Sequence, residues 1–288
     1  KAELKACGRA MDSMKKEWDK LVSKDCFMMD TVADWKDVRK RARQQGFKTH
    51  IGRVFGICVE KGSELKADDE GRYFKGRYVF QGNQVSDEWG EQAIFNELSS
   101  NPASIEASKM VDAYGLFPGN NVQQADAEQA YVQSELGEYT PADGNTTGKK
   151  KEMIKTETWV RIPPEHRPEW WKKKYDDPVV KLGKALYGHP DSGGYWEQHC
   201  DKILKKVGFE AVPNWPSLYW NHGDKLLLMV YVDDFKMAGP AQALKKAWDR
   251  IRKDIQLGAE GDVSKYLGCN HVITNEVKHG LKVRVMNY

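Results

Sequence analysis

Two adjacent acids interrupt an apolar run. Lys225 to Val232 reads as strand-forming, Asp233-Asp234 breaks it, and Phe235 to Ala238 resumes the apolar character. This pattern predicts a β-hairpin with the two acids at or beside its tip. Carboxylates held that close raise each other's pKa or call for a cation. A divalent ion resolves the conflict, and Mg2+ suits the role because it prefers one or two carboxylates together with phosphate oxygens and water. The other reading is an exposed turn that simply carries Asp-Asp, since Asp favours turns.

A further carboxylate, Asp126, lies in the short segment Asn121 to Tyr131, where Gln124-Ala125-Asp126-Ala127-Glu128-Gln129-Ala130-Tyr131 has a strand-like start. Several other stretches fall around these two in order. They are the helix-like Ala10 to Leu21, Phe74-Lys75-Gly76-Arg77-Tyr78-Val79-Phe80-Gln81-Gly82, and Val180-Lys181-Leu182 with Leu186-Tyr187-Gly188. Tyr231-Val232-Asp233-Asp234 with Ala238-Gly239 follows, then Lys265-Tyr266-Leu267-Gly268. In composition and order these motifs resemble the reverse transcriptase domain of Ty1/copia-type LTR retrotransposons. The chain departs from that pattern after Gly188. There it reads His189-Pro190-Asp191-Ser192-Gly193-Gly194 in place of Leu-Lys-Gln-x-Pro-Arg. Gln81 stands where the earlier motif ends in Lys, and Gly137 to Glu157 is expanded.

The resemblance implies an α+β fold with the fingers and palm of a right-hand polymerase, an antiparallel palm sheet packed on helices, and a thumb that is absent or incomplete. It implies fingers over 1–105 and 136–183, the latter with an inserted loop. It implies palm over 106–135 and 184–288, the last part running into a thumb or connection. The implied activity is template-directed DNA synthesis, an RNA-directed DNA polymerase (nucleotidyltransferase) acting by two-metal nucleotidyl transfer. The catalytic acids would be Asp126, Asp233 and Asp234. Two Mg2+ ions, with Mn2+ as an alternative, would be held by these and by the Ala127 carbonyl. Substrate contacts would come from Lys75 and Arg77 at the triphosphate, Ala127, Tyr131 as an aromatic gate against ribose, and Gly188. His189 and Ser192 to Gly194 would approach the template or nucleotide backbone. Implied partners are an RNA or DNA template with primer, dNTPs, and the rest of a retroelement polyprotein (integrase, RNase H). The implied setting is intracellular, in a cytoplasmic virus-like particle or the nucleus. Two alternatives stand beside this: a catalytically inactive remnant that binds nucleic acid or serves structurally, and another metal-dependent phosphoryl-transfer enzyme such as a nuclease.

The elements that must position these residues show in the periodicity. Met11, Met14, Trp18, Leu21 and Val22 predict a helix over 9–23. A basic, poorly patterned stretch follows to Lys48. Phe47 to Glu60 and Tyr73 to Gln81 predict two strands joined by a charged segment. Asn101-Pro102 predicts a helix start, with Gly115 as its stop. Trp196, Cys200, Ile203, Leu204 and Val207 predict a helix over 195–207. Pro240 opens another that Gly258 would end, and strands follow at 266–268 and 272–285. Trp159 to Trp171 has no clear pattern.

Composition bounds the rest. The chain has 288 residues, 40% hydrophobic and 30% charged, with net charge +3, which describes a globular protein. The longest apolar run, Leu226 to Val232, is far short of the ~20 residues of a membrane-spanning helix, so no membrane partner is expected. The five cysteines form no C-x-x-C. His199-Cys200 and Cys269-x-His271 lack structural-zinc spacing. Arg39 to Arg43, Lys149 to Lys151 and Lys172 to Lys174 are basic runs that permit a polyanionic partner. The chain opens Lys-Ala-Glu and stops within a strand-like stretch, which reads as a piece of a longer polypeptide.

Overall fold

A computed structural model describes residues 7–66, 68–95, 102–136 and 156–288. From the N-terminus the elements are α1 (Gly8–Ser23), β1 (Phe27–Asp34), α2 (Trp35–Gln45), β2 (Thr49–Lys61), β3 (Tyr73–Phe80), β4 (Ser86–Asp87), α3 (Ile105–Gly115) and β5 (Asn120–Asp126). Next come β6 (Glu157–Arg161), α4 (Glu169–Lys174), β7 (Pro178–Leu182), α5 (Ser192–Lys206), β8 (Glu210–Ala211), β9 (Leu218–Asn221), β10 (Leu226–Tyr231) and β11 (Asp234–Pro240). The chain continues with α6 (Ala241–Ile251), β12 (Gly261–Asp262), β13 (Lys265–Tyr266), β14 (Cys269–Asn270), β15 (Val272–Lys278) and β16 (Leu281–Asn287). The protein is mixed α+β. It divides into two interleaved compact units, Lys1–Leu98 with Ser134–Tyr195 and Ser99–Gln133 with Trp196–Tyr288. Residues 184–195, assigned from sequence to the last segment, fall within the first unit.

In the first unit the strands run β1-β7-β6-β2-β3, with β4 also on β2. The β2–β6 pair is parallel and the others are antiparallel. Helix α1 buries Ala10, Met14, Trp18 and Leu21. Trp18 stacks on Phe27 at 4.9 Å and on His166 at 3.8 Å. Ser13 Oγ donates to Phe74 O and accepts from Gly76 N, both at 2.8 Å. A Cβ on Gly76 would lie 2.9 Å from Met14 Cα, so the helix approaches this strand only over a glycine.

The second unit holds an antiparallel sheet, β12-β5-β11-β10-β9-β8. Both of its faces are covered. Leu226, Leu228, Val230, Phe235 and Met237 share one cluster with Trp196, Cys200, Leu204, Leu244, Trp248 and Ile251 of α5 and α6. Leu227, Met229, Val122 and Ala238 share the other with Ala107 and Val111 of α3. Double coverage explains why β10 reads Leu-Leu-Leu-Met-Val-Tyr without polar alternation.

Several sequence expectations need correction. The stretch before Lys48 holds β1 and α2. Among the described residues β1 pairs only with β7, and its register shifts between Met28 and Ala33, which removes the period-two signal. α2 buries only Trp35, Val38 and Ala42 among its charges. The start of α3 falls at Ser104, whose Oγ accepts from Ala107 N at 3.2 Å, rather than at Asn101-Pro102. Asn101 itself lies outside the described residues, as do Lys149 to Lys151 and most of the expanded segment. α6 ends at Ile251, and the buried Ile255 belongs to the turns that follow.

Candidate active site

The β10–β11 hairpin turns through two residues, since Tyr231 pairs with Asp234. Its first central residue, Val232, has φ 56°, a conformation that β-branched residues avoid. Strain of this kind costs about 1–3 kcal/mol and persists only where neighbours impose it. Here Trp196 Nε1 donates to Val232 O at 2.6 Å, and Ala127 N donates to Asp233 O at 2.7 Å. On the other side of β11, Asp234 pairs in register with Asp126, the last residue of β5. Asp126 O accepts from Gly258 N at 2.9 Å, and Asp234 O accepts from the Tyr266 hydroxyl at 3.0 Å. Asp126 and the adjacent pair Asp233 and Asp234, remote from it in sequence, therefore have neighbouring backbones, each acid tied by a hydrogen bond to its carbonyl.

The electrostatics follow from this convergence. Asp234 is pushed up to about 6, first by burial, then by the charges of Asp233 and Asp126 and a hydrogen bond with Asp126. A proton shared between two carboxylates relieves part of the repulsion, and a divalent cation is the other remedy. The donors are all oxygens and anionic, which fits a hard cation such as Mg2+ or Mn2+. Among the described residues, no group of three or more His, Cys, Asp or Glu side chains is gathered into a ready-made metal cage. Asp126 is exposed, and Asp233 and Asp234 are half-buried. Tyr131 lies in a 3-10 turn, Ala130–Gln133, that directly follows the Asp126 strand, and it packs against the core of this unit. Burial, and then the Asp233 charge, push its phenol pKa up.

One charge near the acids was not anticipated. Lys236, two residues beyond Asp234, has a fully buried side chain (0% exposed), and so does Asp112 of α3 (1%). Lys236 Nζ donates to Asp112 Oδ1 and Oδ2 at 2.9 and 2.8 Å and to Ser108 Oγ at 2.6 Å. It also lies 4.6 Å from the centre of the Tyr266 ring. Tyr288 Oη donates to Asp112 Oδ2 at 3.0 Å, and His271 Nε2 is 3.4 Å from the same oxygen. Burial pulls the Lys236 pKa down, while Asp112 pushes it back up. A lone lysine between Phe235 and Met237 in an apolar strand was the signal, because a buried charge requires a partner.

In the first unit, Lys75 and Arg77 lie on β3 opposite Val59 and Ile57 of β2. Both are exposed, and the Arg77 guanidinium sits 5.6 Å from the centre of the Tyr187 ring. Gly188 has φ 86°, and a Cβ there would lie 2.1 Å from Phe80 O, so its glycine serves a close backbone passage. The segment after it turns inward. His189 is 5% exposed, its Nδ1 accepts from Asp191 N at 3.2 Å, and Ser192 Oγ bonds both N and O of Leu186. His189 and Ser192, expected to approach the template or nucleotide backbone, thus have their side chains engaged with the protein's own backbone. Part of the basic run on α2 is also committed: Arg41 pairs with Glu157 at 2.9 Å and stacks on Phe47 and Trp159.

Comparison with known proteins gives the class. The reverse transcriptase (RNA-dependent DNA polymerase) family matches residues 59–288, most of the chain. The protein belongs to that family, as its motif order predicts. A transposon Ty5-1 protein of Saccharomyces cerevisiae is 28% identical over 109 residues, 36% of this chain and 34% of that protein. Apo telomerase from Candida tropicalis, truncated from its C-terminal domain, is similar with 12% identity and TM-score 0.41, over 82% of this chain and 55% of that one. Telomerase from Candida albicans with a fragment of telomeric RNA gives 8% identity and TM-score 0.34, over 83% and 46%. The chain thus spans about a third of the length of the transposon protein and about half of each telomerase chain. Among the described residues, no helix is long and apolar enough to cross a membrane.

Proposed function

We propose that the protein is a retrotransposon reverse transcriptase whose second unit is the palm and whose first unit is the fingers. The observation that carries this reading is the register of β5 on β11, which sets Asp126 beside Asp234 with Asp233 at the adjoining corner. The reaction is attack of a primer 3′-hydroxyl on the α-phosphate of a dNTP. The hydroxyl proton is lost, a phosphodiester bond forms, and pyrophosphate leaves. Asp126 and Asp233 would hold two divalent cations, with Asp234 and the Ala127 carbonyl as further ligands. When bound, these ions, Mg2+ or Mn2+, supply charge neutralisation at the attacking and leaving oxygens.

The protein's own groups position the reactants. The hydrogen bonds to the carbonyls of Asp126, Val232, Asp233 and Asp234 fix the acids, so little reorganisation is left for the moment of reaction. Tyr131, in the turn that follows the Asp126 strand, packs under the sugar and clashes with a ribose 2′-hydroxyl. Lys75 and Arg77 are the phosphate-binding pair on side-chain chemistry, Arg as a fork and Lys as a point charge. Template and primer are held through phosphates and sugars, so binding falls with salt. Integrase and RNase H are the expected companions in a retroelement polyprotein.

The test is primer extension on an RNA template with dNTPs and Mg2+, run beside Asp233→Asn. The parent extends the primer. The variant loses on the order of 10³-fold or more, the scale of a removed preorganised electrostatic contact, while its circular dichroism is unchanged. Shortening of the primer would instead support a nuclease. Binding without extension would support an inert remnant.

A further inference from the structure

The buried polar cluster behind the catalytic hairpin has a connection to it. Lys236 uses all three ammonium hydrogens on Ser108 and Asp112. Its position under the Tyr266 ring confines that ring, which is 3% exposed. The same ring carries the hydroxyl that donates to Asp234 O at 3.0 Å. Tyr266 begins a tight turn to Cys269 through Leu267 and Gly268, with φ of 48° and 84°, so its backbone is held as well.

We propose that Tyr266, braced by the buried Lys236–Asp112 ion pair, is a positioning residue that sets the placement of Asp234 against Asp126 and so the affinity of the three acids for divalent cations. The inference rests on the proposed metal-binding role of those acids. Tyr266 acts through the Asp234 backbone, to whose carbonyl its hydroxyl donates. Purely structural packing would need the ring alone, whereas positioning needs its oxygen. Groups one shell out from a metal commonly tune its affinity in this way.

Removing only that oxygen tests the idea. Mn2+ binding to the full chain is measured by calorimetry and by the loss of free Mn2+ signal in electron paramagnetic resonance, for the parent, Tyr266→Phe and Asp126→Asn. Asp126→Asn should abolish tight binding. Tyr266→Phe should weaken it by about 10-fold with an unchanged melting temperature. In extension assays the Mn2+ concentration for half-maximal rate should rise while the rate at saturating Mn2+ holds. A double variant, Lys236→Met with Asp112→Leu, removes the brace without stranding a charge. It should weaken Mn2+ binding too, and adding Tyr266→Phe should then cost little more, because the two act on one path. A parent that binds no Mn2+ overturns the metal role and this inference with it. A parent that binds, with Tyr266→Phe binding equally tightly, overturns the inference alone.

Discussion

Lys236 and the pair Lys75 and Arg77 are basic residues on strands of two hairpins, and they meet opposite fates. β11 lies between β5 and β10 in a sheet covered on both faces, so Lys236 points into protein and must be paired. β3 ends its sheet, and Lys75 and Arg77 share their face with Phe55, Ile57 and Val59, which are 40%, 40% and 47% exposed. A charge inside a covered sheet becomes part of the frame. A charge on an open hairpin face remains available to a ligand. The proposed catalytic acids belong to the framed kind through their backbones and to the open kind through their carboxylates.

The sharpest way to break this contrast is to remove each lysine in turn. Lys236→Ala leaves the buried Asp112 without its main partner, and breaking a buried pair in this way costs about 3–5 kcal/mol. Lys75→Ala removes an exposed side chain and should stay within about 0.5 kcal/mol. Urea denaturation of both variants checks this. A Lys236→Ala loss as small as that of Lys75→Ala would mean that the buried pair contributes no more than a surface one.

Pairing is one way to keep an ionisable group inside, and staying neutral is another. His189 takes the second course. Burial and then the nearby His50 pull its pKa down to about 3 from the ordinary 6.5. Its ring faces Thr158 and the Asp191 amide. Because the folded value lies below the unfolded one, the unfolded chain takes up the proton first. The stabilisation is complete above pH 6.5 and drains away as pH falls toward 3. Between pH 6.5 and pH 5 the loss should be about 1.6 kcal/mol, the slope approaching 1.36 kcal/mol per unit only once the unfolded histidine is mostly protonated. His189→Asn should lack this component, seen as a flatter dependence of the urea midpoint on pH over that range. A variant as pH-sensitive as the parent would remove His189 from the account.

How much of this could be read in advance follows from the range of the interactions. The hairpin at Asp233-Asp234, the helix over Trp196 to Val207 and the strand at Tyr73 carry local patterns, and local patterns survive in a sequence. Asp126 could be named as a partner only through motif order, because pairing with Asp234 is a register between distant strands. β1 was invisible because a bulged edge strand does not alternate, and α2 because three apolar residues are a thin stripe. The Lys236–Asp112 bond spans 124 positions. The lysine announced that it needed an acid, but nothing local said which one. The inward turn of His189 was hidden for the same reason, since Thr158 lies 31 positions away.

The smallest expected effect bears on the open side of the contrast. If Arg77 is kept exposed to hold phosphate, Arg77→Ala should leave the melting temperature within error and raise the KM for dNTP by about 10-fold, equivalent to about 1.4 kcal/mol. Arg77→Lys should recover only part of this, because a point charge cannot reproduce the two parallel bonds of a guanidinium. Steady-state extension at varied dNTP separates KM from kcat. Its guanidinium already rests over the Tyr187 ring, so the null outcome has a physical meaning as well. A KM unchanged by Arg77→Ala together with a lowered melting temperature would make the stacking on Tyr187 its real task, and the exposed face of β3 would then be framed after all.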